Sequence, residues 1–304
     1  MLYRGRFAPT PSGPLHFGSL VTALASWLEA RSRGGVWLVR IDDLDPPREV
    51  PGAADQILKQ LEAFGLHWDE SVRYQSQRND VYQAAVTQLV DNGHAFHCRM
   101  TRKELASLNH CHPGISAAVA ADNDTAVRLH VADRQLCYSD NIQGQVCNNL
   151  HCDGGAFVIR RRDGLFGYQL ACALDDADER ITHVLRGADL LGSTLRQRWL
   201  LECLERPIPD YAHLPVVSSG RNVKLSKSAG SNALDPNRAS QLLTAALSCM
   251  GLQPPAGLHG ASPAALLAWA TTHYPEHHWP PGHQQPLPDD FNIQDTFELP
   301  PRPT

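Results

Sequence analysis

The chain has 304 residues, enough for one full α/β domain with attachments but short for three independent domains. With 27 Lys and Arg against 32 Asp and Glu the formal charge is −5, which argues against a general polyanion binder; nucleic acid has to be met by a local patch, such as Arg160–Arg162 or the group Arg99, Arg102 and Lys103. The eight cysteines are scattered, no apolar run approaches the roughly 20 residues that cross a bilayer, and no secretory leader is visible, so a soluble cytoplasmic protein with no membrane partner is expected.

In chain order, Arg4 to Ala8 reads as a short strand, Pro9 to Pro14 as a turn-rich loop, and Gly18 to about Arg31 as a helix, with Leu20, Leu24, Trp27 and Leu28 at helical spacing. Val36 to Ile41 is a continuous apolar run suited to a strand buried on both faces. This order is one βαβ unit of a parallel sheet, and a second helix follows from about Gly52 to Phe64. Between about residues 93 and 155 the pattern weakens and Cys and His concentrate, which reads as an insertion. The α/β rhythm is expected to resume with Phe157 to Arg160, then Ile181 to Arg186, then a helix near Ser193 to Leu204. Two helices, Gln241 to Met250 and Pro263 to Thr272, precede a proline-rich tail expected to be extended, turn-like or partly disordered. The expected organisation is a first catalytic half at 1–92, an insertion at 93–155, a second half at 156–238 and a short helical, proline-rich segment at 239–304.

Two segments carry phosphate chemistry. Pro11 to Leu20 lies at a strand-to-helix junction, where unpaired backbone N–H groups and the positive end of the helix dipole favour an anion, and His16 offers a hydrogen bond without a large fixed charge. Lys224-Leu225-Ser226-Lys227-Ser228 places two lysines and two hydroxyls in a glycine-flanked loop, the mobile cationic donors that nucleotidyl transfer uses. Taken singly, a loop histidine beside a tight turn and a solvated lysine loop are the plainer readings.

Together, in this order and separation, His16-Phe17-Gly18-Ser19 and Lys224 to Ser228 resemble the two signature motifs of class I aminoacyl-tRNA synthetases, usually written HIGH and KMSKS. The resemblance implies a Rossmann-type parallel sheet with an insertion, ATP with Mg²⁺ as the activating substrate, ATP-binding roles for His16, Gly18, Lys224, Ser226 and Lys227, and catalytic roles for His16 and Lys227. Arg6-Phe7-Ala8-Pro9-Thr10 resembles the glutamate-binding opening of glutamyl-tRNA synthetases, and an arginine at a strand end suits a forked contact with a carboxylate. Asp42 matches a position normally held by a glutamate that faces the substrate's ammonium group; its shorter side chain leaves that contact about one carbon–carbon bond short unless backbone or water compensates. Tyr168 and Arg186, in Gly167-Tyr168-Gln169-Leu170 and Arg186-Gly187-Ala188-Asp189, match the family's substrate-lining tyrosine and second carboxylate anchor.

Fewer than eighty residues follow Ser228, too few for the helical anticodon-reading module of a full glutamyl-tRNA synthetase. With Arg48 to Ala53 and Arg162 to Phe166, the chain resembles the paralogous glutamyl-queuosine tRNA(Asp) synthetase family, which implies tRNA-independent activation of L-glutamate and its transfer to queuosine in the anticodon of tRNA(Asp); a monomer is expected, though the sequence itself leaves the oligomeric state open. Residue chemistry alone reaches only adenylate formation, and a truncated glutamyl-tRNA synthetase or a non-catalytic RNA-binding module stays open at this point. The paralogues often hold a structural zinc, but here Met100 and Ser116 stand at cysteine positions beside Cys98, and His112 stands at the tyrosine position, so no metal is expected; His97, Cys98, His110 and Cys111 form the alternative ligand set.

Overall fold

In the computed structural model, which describes residues 2–219, 223–224, 234–274, 279, 282 and 284–286, the N-terminal strand β1 (Arg4–Phe7) passes through helix α1 (Phe17–Ser32) to the parallel strand β2 (Val36–Ile41). The tight return into β2 depends on Gly35, where a Cβ would stand 2.5 Å from the carbonyl oxygen of Tyr3. Helix α2 (Ala53–Ala63), the short parallel strand β3 (Arg73–Tyr74) and helix α3 (Asn79–Asp91) complete the first half.

The chain then builds β4 (Ala95–Cys98), the one-turn helix α4 (Arg102–Ala106), β5 (Ala126–Leu129), the hairpin β6 (Leu136–Asp140) and β7 (Gly144–Asn148), and β8 (Phe157–Arg160). Here the structure corrects the sequence reading. Strand β8 does not resume the parallel sheet; it pairs antiparallel with β5, and β5 with β4, as a separate three-stranded sheet. Its half-buried side chains suit either partner, so composition carries no information about which strand it joins. The scattered cysteines also conceal one pair, since Cys137 and Cys147 face each other across the β6–β7 hairpin as a disulfide.

Helix α5 (Tyr168–Asp178) leads to β9 (His183–Gly187), helix α6 (Leu191–Cys203) and β10 (Asp210–Leu214). Strand β10 runs parallel to both β9 and β6, and the edge of β9 meets β1 where Thr182 N–H donates to the Arg4 carbonyl at 3.0 Å. The carboxyl ends of β1, β9 and β10 therefore open to the same side at a point where the chain order of strands reverses, the usual place for a ligand crevice in such sheets. Strands β11 (Val216–Ser219) and β12 (Val223–Lys224) are antiparallel, and β13 (Gln284–Pro286), from the proline-rich tail, adds parallel to β11.

Helices α7 (Ala239–Cys249) and α8 (Pro263–His273) pack on α1, and Leu20, Leu24, Leu243, Leu247 and Leu266 share one buried core. Buried Gln60 accepts from Leu15 N–H at 2.8 Å and donates to the Leu234 carbonyl at 3.0 Å, tying the loop before α1 to the chain that leads into α7. No helix among the described residues is long and apolar enough to cross a membrane.

Candidate active site

A cleft of about 350 Å³ lies over the amino end of α1, lined by Pro9, Thr10, Ser12, His16, Gly18 and Ser19 on one side and by Gly187, Asp189 and Leu214 on the other. His16 is the N-cap of α1: its backbone is extended and its Nδ1 accepts from Ser19 N–H at 3.2 Å. That bond leaves the proton on Nε2, which donates it to the Ser19 hydroxyl oxygen 3.0 Å away. The positive end of the helix dipole thus favours an anion in the cleft, with His16, Gly18 and Ser19 in its lining. Lys224 lies in β12 opposite Ser218, while Ser226 and Lys227 lie outside the described residues.

Next to this cleft, and sharing Phe7, Ala8, Gly187 and Leu190 with it, is a smaller pocket of about 110 Å³. Arg6, Phe7, Ala8, Asp42, Tyr168 and Arg186 line it, whereas Pro9 and Thr10 face only the larger cleft. Strand β1 supplies Arg6 and Phe7 with Ala8 just beyond it, Asp42 directly follows β2, the first turn of α5 supplies Tyr168, and the end of β9 supplies Arg186.

The two arginines are held differently. Arg6 forks onto Asp176, Nε to Oδ1 at 2.9 Å and Nη2 to Oδ2 at 3.2 Å, with both side chains almost fully buried. Arg40, fully buried behind it, bonds Asp42 at 2.7 Å, Asp176 at 2.7 Å and Glu179 at 3.1 Å. Burial by itself raises the pKa of Asp176, but the facing guanidinium groups of Arg6 and Arg40 override it and hold the carboxyl at about 2. For Asp42 burial dominates, and even with Arg40 bonded its pKa is pushed up to about 6. Arg186, by contrast, has no carboxylate partner among the described residues; it donates to His213 Nε2 at 3.1 Å, Gln197 Oε1 at 2.8 Å and Thr194 Oγ1 at 2.9 Å. Tyr168 stands at the mouth, 39 % exposed.

The pocket therefore offers on one wall a guanidinium with no direct carboxylate partner among the described residues and a carboxylate on another, with volume for a small zwitterion rather than a drug-sized molecule, which takes roughly 300 Å³ or more. Sequence reasoning missed Arg40, Cys172 and Asp176. For Cys172 and Asp176 the signal lay in their four-residue spacing with Tyr168, which puts all three on one face of α5.

In the zinc-motif region, His112 Nδ1 accepts from Gly114 N–H at 3.0 Å, so its Nε2–H donates to Cys98 Sγ at 3.2 Å. Burial lowers the His112 pKa to about 4, keeping the ring neutral. His97 bonds Thr125, Cys111 donates to the His151 carbonyl, and Ser116 donates to the Pro113 carbonyl. Cys98 and His112 thus meet directly through the bond from Nε2–H to Sγ.

A parallel sheet with a cleft at its switch point, adjoining a small pocket lined by arginines and a carboxylate, is an arrangement suited to an enzyme that binds a nucleotide beside a small charged molecule. Residues 3–242 match the family described as tRNA synthetases class I (E and Q), catalytic domain, and the chain belongs to that family. Among curated relatives, the glutamyl-Q tRNA(Asp) synthetase of Ectopseudomonas mendocina (strain ymp) is 49 % identical over 273 residues, covering 90 % of this chain and 93 % of the relative. That of Methylococcus capsulatus (strain ATCC 33009 / NCIMB 11132 / Bath) is 46 % identical over 285 residues, covering 93 % of this chain and 94 % of the relative. Among solved structures, the glutamate-tRNA synthetase from Elizabethkingia anophelis aligns with a TM-score of 0.71 at 26 % identity, over 88 % of this chain and 65 % of that one. A glutamate tRNA ligase from Elizabethkingia meningosepticum CCUG26117, in complex with its amino acid, aligns with a TM-score of 0.66 at 29 % identity, over 76 % of this chain and 53 % of that one. The chain thus spans less than two thirds of either solved synthetase.

Proposed function

We propose that this protein activates L-glutamate with ATP, without needing tRNA, and transfers it from glutamyl-adenylate to queuosine in the anticodon of tRNA(Asp). The observation that carries the choice of amino acid is the asymmetry of the small pocket. Arg186, buried and without a carboxylate partner among the described residues, faces the same space as Asp42, so an incoming glutamate supplies the missing carboxylate and an ammonium group for Asp42. Arg6, oriented by Asp176, is the second contact to the side-chain carboxylate, and Tyr168 closes the mouth.

With glutamate so anchored, its α-carboxylate points along the shared wall towards the larger cleft. One of its oxygens attacks the α-phosphorus of ATP, the bond to the β-phosphate oxygen breaks, and pyrophosphate leaves. His16, Gly18 and the start of α1 hold the phosphates, and Lys224, Ser226 and Lys227 are assigned by resemblance to the charge that develops in the transition state. The Mg²⁺ that accompanies ATP is read as part of the substrate, held chiefly by its phosphates. A hydroxyl of queuosine then attacks the activated carbonyl carbon, and AMP leaves as the ester forms.

The acceptor rests on the likeness to relatives named glutamyl-Q tRNA(Asp) synthetase over nine tenths of the chain. The test is ATP–pyrophosphate exchange with each amino acid, with and without tRNA, followed by glutamate transfer to tRNA(Asp) carrying or lacking queuosine. Glutamate-dependent exchange without tRNA and transfer only to the modified tRNA are expected. Exchange that requires tRNA, or charging of the 3′ end, would overturn the assignment.

A further inference from the structure

Behind Arg186 lies a buried chain of polar groups that the proposed chemistry does not use. His213, on β10, is fully buried, and its Nε2 faces two donors, Arg186 Nε at 3.1 Å and the Thr194 hydroxyl at 3.1 Å. Its Nδ1 lies 2.5 Å from Asp140 Oδ2. An imidazole nitrogen that meets a guanidinium N–H accepts, so the ring proton resides on Nδ1 and is donated to Asp140. Asp140 is itself fixed: its Oδ1 accepts from the backbone N–H groups of Ile142, Gln143 and His213 at 3.0, 2.9 and 3.1 Å.

We infer that Asp140 and His213 are positioning residues for glutamate, Asp140 setting the His213 tautomer so that Nε2 holds Arg186 by accepting from its Nε. The inference rests on the reading of Arg186 as a carboxylate anchor. The contrast with Arg6 supplies the physical reason. A carboxylate placed directly on Arg186, as Asp176 is placed on Arg6, would orient the guanidinium but also neutralise it and compete with the substrate. A neutral imidazole orients Nε and leaves the full positive charge for the ligand, while the compensating Asp140 charge stays one ring further away. Burial lowers the His213 pKa, and the bonds to Asp140 only partly oppose that, which keeps the ring neutral in this arrangement.

Asp140→Asn tests the device. The asparagine Oδ1 keeps its three backbone donors, so the turn survives, but its Nδ2–H now points at His213 Nδ1, the ring proton moves to Nε2, and donor faces donor at Arg186. In glutamate-dependent ATP–pyrophosphate exchange the variant is expected to raise KM for glutamate about tenfold or more, the range for leaving a buried donor unmatched, with KM for ATP moving far less. In a His213→Gln background, where the side chain has no tautomer and its Oε1 accepts from Arg186, adding Asp140→Asn is expected to change KM for glutamate less than about twofold. Imidazole ¹⁵N chemical shifts, which need no substrate, are expected to report Nδ1–H for His213 in the wild type and Nε2–H in Asp140→Asn. An Nε2–H wild type, an unchanged glutamate KM in Asp140→Asn, or equal added losses in both backgrounds would overturn the inference. Absence of glutamate-dependent exchange in the wild type would instead refute the functional reading and leave the tautomer result to stand by itself.

Discussion

Replacing Asp176 by Asn is the sharpest test of how the pocket is held together. The carboxylate is 1 % exposed and serves both Arg6 and Arg40, so the substitution keeps the shape and removes one negative charge between two buried cations. A pKa of about 2 in place of 3.8 means that the folded state favours the ionised form, and at about 1.4 kcal/mol per pKa unit this contributes roughly 2–3 kcal/mol at neutral pH. Stranding the partners of a buried ion pair costs about 3–5 kcal/mol in comparable cases, so a loss of about 2–5 kcal/mol is expected. Because the folded pKa is depressed, the contribution is complete above the unfolded value and fades as pH falls through the folded one. Urea denaturation should therefore show a constant gap between wild type and variant from pH 7 to about pH 4, narrowing below that. A loss under about 1 kcal/mol at pH 7, or a gap insensitive to pH below 4, would refute the ion-pair reasoning.

The raised pKa of Asp42 has an opposite signature: only the ionised form meets an ammonium group, so kcat/KM for glutamate should rise with pH through an inflection near 6, and Asp42→Asn should abolish that inflection. His16→Ala removes both the helix cap and the proposed phosphate contact, so thermal unfolding should show a loss of about 0.5–2 kcal/mol together with a raised KM for ATP. His16→Asn should restore the cap but not the ATP affinity, and equal recovery of both would argue that His16 is only a cap. Lys227→Ala is expected to lower the exchange rate about 10²–10³-fold while changing the KM for glutamate much less, because its contact is proposed to strengthen in the transition state; a similar loss in both would count against that role.

The elements legible in the sequence were those whose signal is local. Pro9 to Pro14 could only be a turn-rich loop, the four-residue spacing of Leu20, Leu24 and Leu28 a helix, and Val36 to Ile41 a buried strand, and each forms within a residue or two of its expected bounds. Strand β8 was recognised as a strand but assigned to the wrong sheet, since period and composition describe one strand's faces and not its neighbour. Helix α5 and strand β10 passed unnoticed, because the first carries acids in an apolar stretch and the second mixes exposed and buried residues over five positions.

The same division runs through the site. The resemblance to glutamyl-tRNA synthetases named Arg6, Asp42, Tyr168 and Arg186 as a group, and strand ends and a helix start bring them around one small pocket. Nothing in the sequence distinguished the two arginines. Tertiary structure alone decided that Arg6 meets Asp176 across 170 positions while Arg186 meets a histidine, whose own partner Asp140 lies 73 positions from it. Charge pairing in a buried site acts over a few ångströms of space and is blind to distance along the chain. The chemistry available to each side chain could be read from its type; whether its charge is already spent or free for a substrate is a property of the fold.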